Sequence, residues 1–122
     1  MSHIVEIKTE VRDAAAARAA CERMMLEPPT EGTVRLFSGE VTGLIVKLPG
    51  WKYPAVFDTL TGKARFDTFD GRWGEQIHLE NFLQKYAVEK TKIEARKAGH
   101  SCTKHQLIDG SIKLSVNVGG AQ

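Results

Sequence analysis

Apolar and charged residues alternate from Val5 to Val11, with Glu6, Lys8 and Glu10 set between Val5, Ile7 and Val11. That period of two predicts a half-buried strand. Asp13 then offers an N-cap oxygen, and Ala17, Cys21, Met24 and Met25 recur at helical offsets, predicting a first helix that Pro28 and Pro29 end. Residues 33–37 and 41–48 are rich in strand formers on either side of Ser38-Gly39-Glu40, the pattern of a hairpin. Two shorter strand candidates, 53–58 and 63–70, flank Thr61-Gly62, and Pro54 marks the first as an edge strand or connecting structure.

The longest periodic segment starts near Gln76 and puts Leu79, Phe82, Leu83, Tyr86 and Ile93 on one stripe, with Gly99 suited to follow its last turn. Lys90 falls inside that stripe. Its stem must lie along the core edge while the ammonium reaches water or Glu94, or else the amine is partly buried near Tyr86 or a sheet carboxylate. Beyond the helix, 101–108 and 111–118 flank Asp109-Gly110, the signal for a two-residue type I′ turn at 108–111.

These elements predict an α+β fold: an antiparallel sheet with two helices packed on one face, since each helix has a single apolar stripe to bury. If 53–58 merely connects, the chain divides into two strand-helix-hairpin units, 4–48 and 63–118. Little residue identity links them.

Composition narrows this picture. A chain of 122 residues holds one domain, 1–122, with 119–122 expected to be a frayed tail. At 42% hydrophobic and 26% charged residues, enough apolar surface is available to offset chain entropy. The net charge of +2 is too small for a general attraction to nucleic acid or acidic lipid. No apolar run is long enough to cross a bilayer and the amino terminus is not a signal peptide, so a cytoplasmic protein without a membrane partner is expected. Cys21 and Cys102 are then expected to be reduced thiols.

Met1-Ser2-His3, Ile7-Lys8-Thr9, Val11 and Asp13 resemble the opening of the domain-of-unknown-function family 1257, which includes plastid and cyanobacterial conserved reading frame 35 proteins. Gln84-Lys85-Tyr86-Ala87, Lys90-Thr91, Glu94-Ala95 and Gly99 resemble that family's second helix, with Trp73-Gly74 placed before it. The resemblance is loose over 44–65. It implies no activity and no catalytic residues. Its bacterial members are often encoded near AAA-type ATPases, which implies an accessory role with such an ATPase as the partner.

The candidate chemistry is sparse. His100, Cys102 and His105 are the only close cluster of soft ligands, but Cys102 and His105 fall on opposite faces of a strand, so neither a metal nor another cofactor is expected. Cys102 with a histidine, Tyr86 or Lys90 forms an enzymatic alternative, against which stands the commoner buried, inert thiol. The glycines are scattered at turns and form no phosphate loop.

The second helix and its flank carry an excess of cations. Lys85, Lys92, Arg96 and Lys104 are its candidate nucleic-acid contacts, whereas Lys85 with Glu89 and Lys90 with Glu94 suit intrahelical pairs on a solvated face. No aromatic residues interleave with these charges as stacking platforms.

Trp51, Tyr53, Phe66, Phe69 and Trp73 concentrate in the middle of the chain. The phenylalanines are expected in the core and Trp73 at the turn into the second helix, while Trp51 suits either an exposed anchor or the core. The leading expectation is a non-enzymatic binding or adaptor protein, with Trp51, Tyr53, Tyr86 and Lys90 as candidate contacts to a protein partner. A nucleic-acid-binding module ranks below it, and a homo-oligomer is compatible with both.

Overall fold

The computed structural model describes residues 4–98, 101–106 and 112–117, the last two segments as backbone only. The order is β1 (Val5–Lys8), α1 (Ala14–Arg23), β2 (Thr30–Leu36), β3 (Gly39–Val46), β4 (Ala55–Asp58), β5 (Lys63–Phe66), α2 (Gln76–Lys97), β6 (Ser101–Gln106) and β7 (Ile112–Asn117). The first five strands form one antiparallel sheet in the order β1-β5-β4-β3-β2, and β6 pairs with β7 in a separate hairpin. The protein is thus α+β.

Both helices cover the same face of the sheet. Ala16, Ala17, Ala20 and Cys21 of α1 and Leu79, Phe82 and Tyr86 of α2 share one core with Leu44, Val46, Ala55, Phe57, Ala64 and Phe66. Phe57 and Phe82 meet at 5.4 Å between ring centroids and are fully buried. Each contributes about 1.5–3 kcal/mol by leaving water.

On the opposite face the chain's own hairpin covers the patch around Val56. Gly32 and Gly43 stand opposite each other in the β2–β3 register, and a Cβ on Gly43 would lie 2.5 Å from the Phe57 carbonyl oxygen. Two side-chain-free residues at one level let the ribbon bend sharply over the sheet. Beyond that bend Leu36 and Val41 bury themselves on Val56, and Gly39 comes close to Ile4, whose Cδ1 would lie 3.7 Å from a Cβ there.

Several predicted boundaries move, each for a local reason. Helix α1 starts as expected, with Asp13 Oδ1 accepting the N–H groups of Ala15 and Ala16. It ends well before Pro28, because Met25 adopts a left-handed φ of 58° while Met25 and Leu26 donate to the Glu22 and Cys21 carbonyls. That is a Schellman closure, and it leaves Met25 exposed and outside the apolar stripe.

The β2–β3 turn is Phe37-Ser38, since Leu36 pairs with Gly39, and not Ser38-Gly39-Glu40. Pro54 precedes β4, so it removes no ladder bond, and β4 is an interior strand between β3 and β5. Strand β5 stops at Phe66, ahead of left-handed Phe69 and Asp70. The predicted Asp109-Gly110 turn lies outside the described residues, as do Gly99, His100 and 119–122. The β6–β7 register, with Gln106 opposite Ile112, leaves an odd number of residues between the strands.

Candidate functional site

Two places gather the polar and aromatic side chains singled out by the sequence. The first is the junction of β1, α1 and α2. After β1 the backbone is held by Thr9, whose hydroxyl donates to the Gly62 carbonyl and accepts the Val11 N–H. This turns Arg12 and Asp13 toward α2, where the Tyr86 hydroxyl accepts both their N–H groups at 3.1 and 3.0 Å. Tyr86 is buried, so its oxygen caps backbone that α1 leaves without an internal partner.

One turn further on, the Lys90 ammonium donates to Asp13 Oδ2 at 3.0 Å and to Glu94 Oε1 at 2.6 Å. The Glu94 and Asp13 carboxylates hold the Lys90 pKa well above the usual lysine range, against the opposing effect of desolvation. Burial works against the Asp13 charge, but the Lys90 ammonium and the Ala16 and Ala15 N–H groups outweigh it and lower the Asp13 pKa. Lys90 lowers the Glu94 pKa as well. A lysine so firmly protonated is a poor nucleophile or base.

A groove of about 440 Å³ opens beside this junction, lined by Lys8–Val11 of the β1 edge and by Leu83, Tyr86, Ala87, Lys90 and Thr91 of α2.

The second place is an aromatic corner at the other end of the sheet. The bent β2–β3 hairpin carries Phe37 to Trp73, with 5.2 Å between ring centroids. Tyr53 and Phe69 pack on the same indole at 5.5 and 4.9 Å. Two cations sit on these rings: Lys52 Nζ lies 4.7 Å from the Trp73 centroid and 5.7 Å from that of Tyr53, and the Arg72 guanidinium lies 5.0 Å from Phe69. Neither cation has a carboxylate partner among the described residues.

The loop that presents the corner is strained. Phe69 and Asp70 have φ of 49° and 54°, a region that residues with a Cβ seldom occupy, and Gly71 follows at 90°. Asp67 anchors the loop by accepting the Phe69 N–H on Oδ1, while its buried Oδ2 has no hydrogen-bond partner among the described residues.

Trp51 takes the turn expected of Trp73 and also packs against the core, its ring 5.6 Å from that of Phe66, which is one of its two expected places. Trp51 clasps the turn into α2: its ring lies over Gly74, where a Cβ would come within 2.6 Å, and its Nε1–H donates to the Glu75 carbonyl. Trp73, expected at that turn, is the hub of the aromatic corner because left-handed Phe69 and Asp70 swing the loop toward the hairpin tip. Phe69 is half-buried there and not in the core, whereas Phe66 is a core residue. Of the four candidate contacts, Tyr53 lies at the aromatic corner, and Trp51, Tyr86 and Lys90 brace the helices. Phe37 is not among the expected contacts, because a turn at Ser38-Gly39-Glu40 keeps it in the strand and not at the hairpin tip.

The basic helix face is partly neutralised. Lys92 turns in toward Glu89 at 3.6 Å, and Arg23 of α1 reaches the same carboxylate at 3.2 Å. The expected Lys85–Glu89 pair does not form, and Arg96 is exposed. The side chains of Lys104, Cys102 and His105 lie outside the described residues. Burial raises the Cys21 thiol to about 11, which keeps it unreactive.

Among the described residues no three histidine, cysteine, aspartate or glutamate side chains converge as metal ligands, and no helix is long and apolar enough to cross a membrane. No protein-family model matches this chain, and no curated protein or solved structure matches it.

Proposed function

We propose that this chain is a non-enzymatic adaptor that docks on a protein partner through its aromatic corner. The observation that carries this reading is the pair of cations, Lys52 and Arg72, seated on the rings of Tyr53, Phe69 and Trp73 with no carboxylate partner among the described residues. Tryptophan, tyrosine and arginine supply most of the energy at protein interfaces, and a partner surface offering an apolar side chain beside a carboxylate complements both parts.

The enzymatic alternative loses two of its residues. The Tyr86 hydroxyl is engaged by two backbone donors and Lys90 is held as the cation. A nucleic-acid reading is better placed at this corner than on α2, since cations and rings meet here. It ranks lower because the rings stack on one another and under Lys52 and Arg72, leaving few free faces for bases.

The resemblance to family 1257 points to an AAA-type ATPase as the partner. Affinity purification from the native host tests this, comparing wild type with Trp73→Ala and Lys90→Met. The expected result is an ATPase recovered with wild type and Lys90→Met and lost with Trp73→Ala. Recovery of nucleic acid in place of protein overturns the reading.

A further inference from the structure

We propose that a second copy of this chain docks on the free edge of β1, joining the two sheets antiparallel about a two-fold axis at Ile7. Among the described residues the sheet order leaves β1 at an edge with a partner on one side only. Thr9 donates its N–H to Gly62, across the β1–β5 ladder. The alternation of an antiparallel ladder therefore directs the backbone groups of Val5, Ile7 and Thr9 to β5 and those of Glu6, Lys8 and Glu10 outward.

Outward groups must meet outward groups, so a two-fold axis passes through a residue and not between two. An axis at Glu6 sets Glu6 against Glu6, and one at Lys8 sets Lys8 against Lys8. An axis at Ile7 sets Glu6 opposite the partner's Lys8 twice over, in hydrogen-bonded pairs with both side chains on the same face. Opposite charges facing each other stabilise such a pair and like charges destabilise it, so the sequence of β1 selects this register. Lys8 makes no ion pair among the described residues, while Glu6 already meets Arg65 and Lys63 and extends that charge line to the edge.

Apolar residues agree with the same register. Val5 and Ile7 share the helix-covered face, and Val5 is an exposed large apolar side chain. With the axis at Ile7, the partner's Val5 lies opposite Thr9, at the mouth of the groove lined by Thr9, Val11, Leu83, Tyr86 and Ala87. Each copy thus gives one valine to the other's groove, an isologous contact. It is independent of the aromatic corner.

Sedimentation equilibrium at micromolar concentrations is expected to give a dimer for wild type. Lys8→Glu, which sets glutamates against each other in both pairs, is expected to weaken it about tenfold or more. Glu6→Lys should do the same, and an equimolar mixture of the two variants should recover the dimer. Should Glu6→Lys fail to fold, as circular dichroism would show, Ile7→Cys replaces it, with a disulfide expected between the two copies across the axis. A wild type that stays monomeric to about 100 µM, far weaker than a specific interface requires, overturns the proposal. So does a Lys8→Glu dimer as tight as wild type.

Discussion

At the β1–α1–α2 junction the polar side chains between the helices have their complements: Tyr86 takes two N–H groups, Lys90 takes two carboxylates, and Asp13 caps α1 while binding Lys90. At the aromatic corner the bookkeeping is left open. Two consecutive non-glycine residues are left-handed, and among the described residues a buried carboxylate oxygen has no partner and two cations rest on rings without counter-charge. Strain and unpaired polar groups persist only where surrounding structure enforces them, and they concentrate where proteins bind other molecules. The contrast fits a junction that contributes stability and, on the proposed reading, a corner left open for a partner.

The largest expected effect breaks the corner from a distance. Gly43→Ala drives a Cβ against the Phe57 carbonyl, so the β2–β3 ribbon must move away from the sheet and withdraw Phe37 from Trp73. A loss of about 3 kcal/mol is expected by urea denaturation, at the upper end for overpacking a close contact. A loss below about 1 kcal/mol would mean that the bend does not depend on this approach.

Tyr86→Phe breaks the junction. It leaves the Arg12 and Asp13 N–H groups without their acceptor, and about 2 kcal/mol of stability should go with it. If stability is unchanged, water replaces the hydroxyl and the junction is less closed than its geometry indicates.

How much of this contrast was legible beforehand follows from where each region takes its information. The junction is written locally: alternation to Val11, an Asx cap at Asp13 and a helical stripe through Tyr86 bring its members together, and the misfit of Lys90 within that stripe marked it as a residue in need of a partner. The aromatic corner depends on contacts between distant segments. Phe37 meets Trp73 from a ribbon in which Gly32 and Gly43 face each other, and left-handed Phe69 and Asp70 stand just before Trp73 in its loop. Nothing in the residue type of phenylalanine or aspartate announces that conformation. The aromatic clustering in the sequence was the sole signal, and it could not assign a role to each ring.

Phe37→Ser sharpens the contrast with a smaller effect on folding. Phe37 is 54% exposed at a two-residue turn, so stability should stay within about 0.5 kcal/mol of wild type. Affinity for the partner should nevertheless fall about tenfold, as for an exposed aromatic anchor. Equal affinity with and without the ring would remove the hairpin tip from the docking surface.

The smallest effect at neutral pH, and the most specific, belongs to Lys90→Met. The apolar stem is kept, so the change reports the ammonium. The folded pKa of Asp13 lies below its unfolded value, so its contribution is complete above about pH 4 and is lost as pH falls through the folded value. Lys90 is raised, and its share is present below about pH 10 and is lost only in stronger alkali. Without the ammonium, Asp13 keeps its two backbone donors while burial still opposes its charge, so its pKa rises toward the unfolded value. Thermal melts between about pH 2 and 8 should therefore show the variant less stable on the plateau, by an amount that shrinks as both proteins are acidified and vanishes once the carboxylates are protonated in each. Two curves separated by a constant offset would show that Lys90 acts through packing alone and that its ion pairs with Asp13 and Glu94 add nothing to stability.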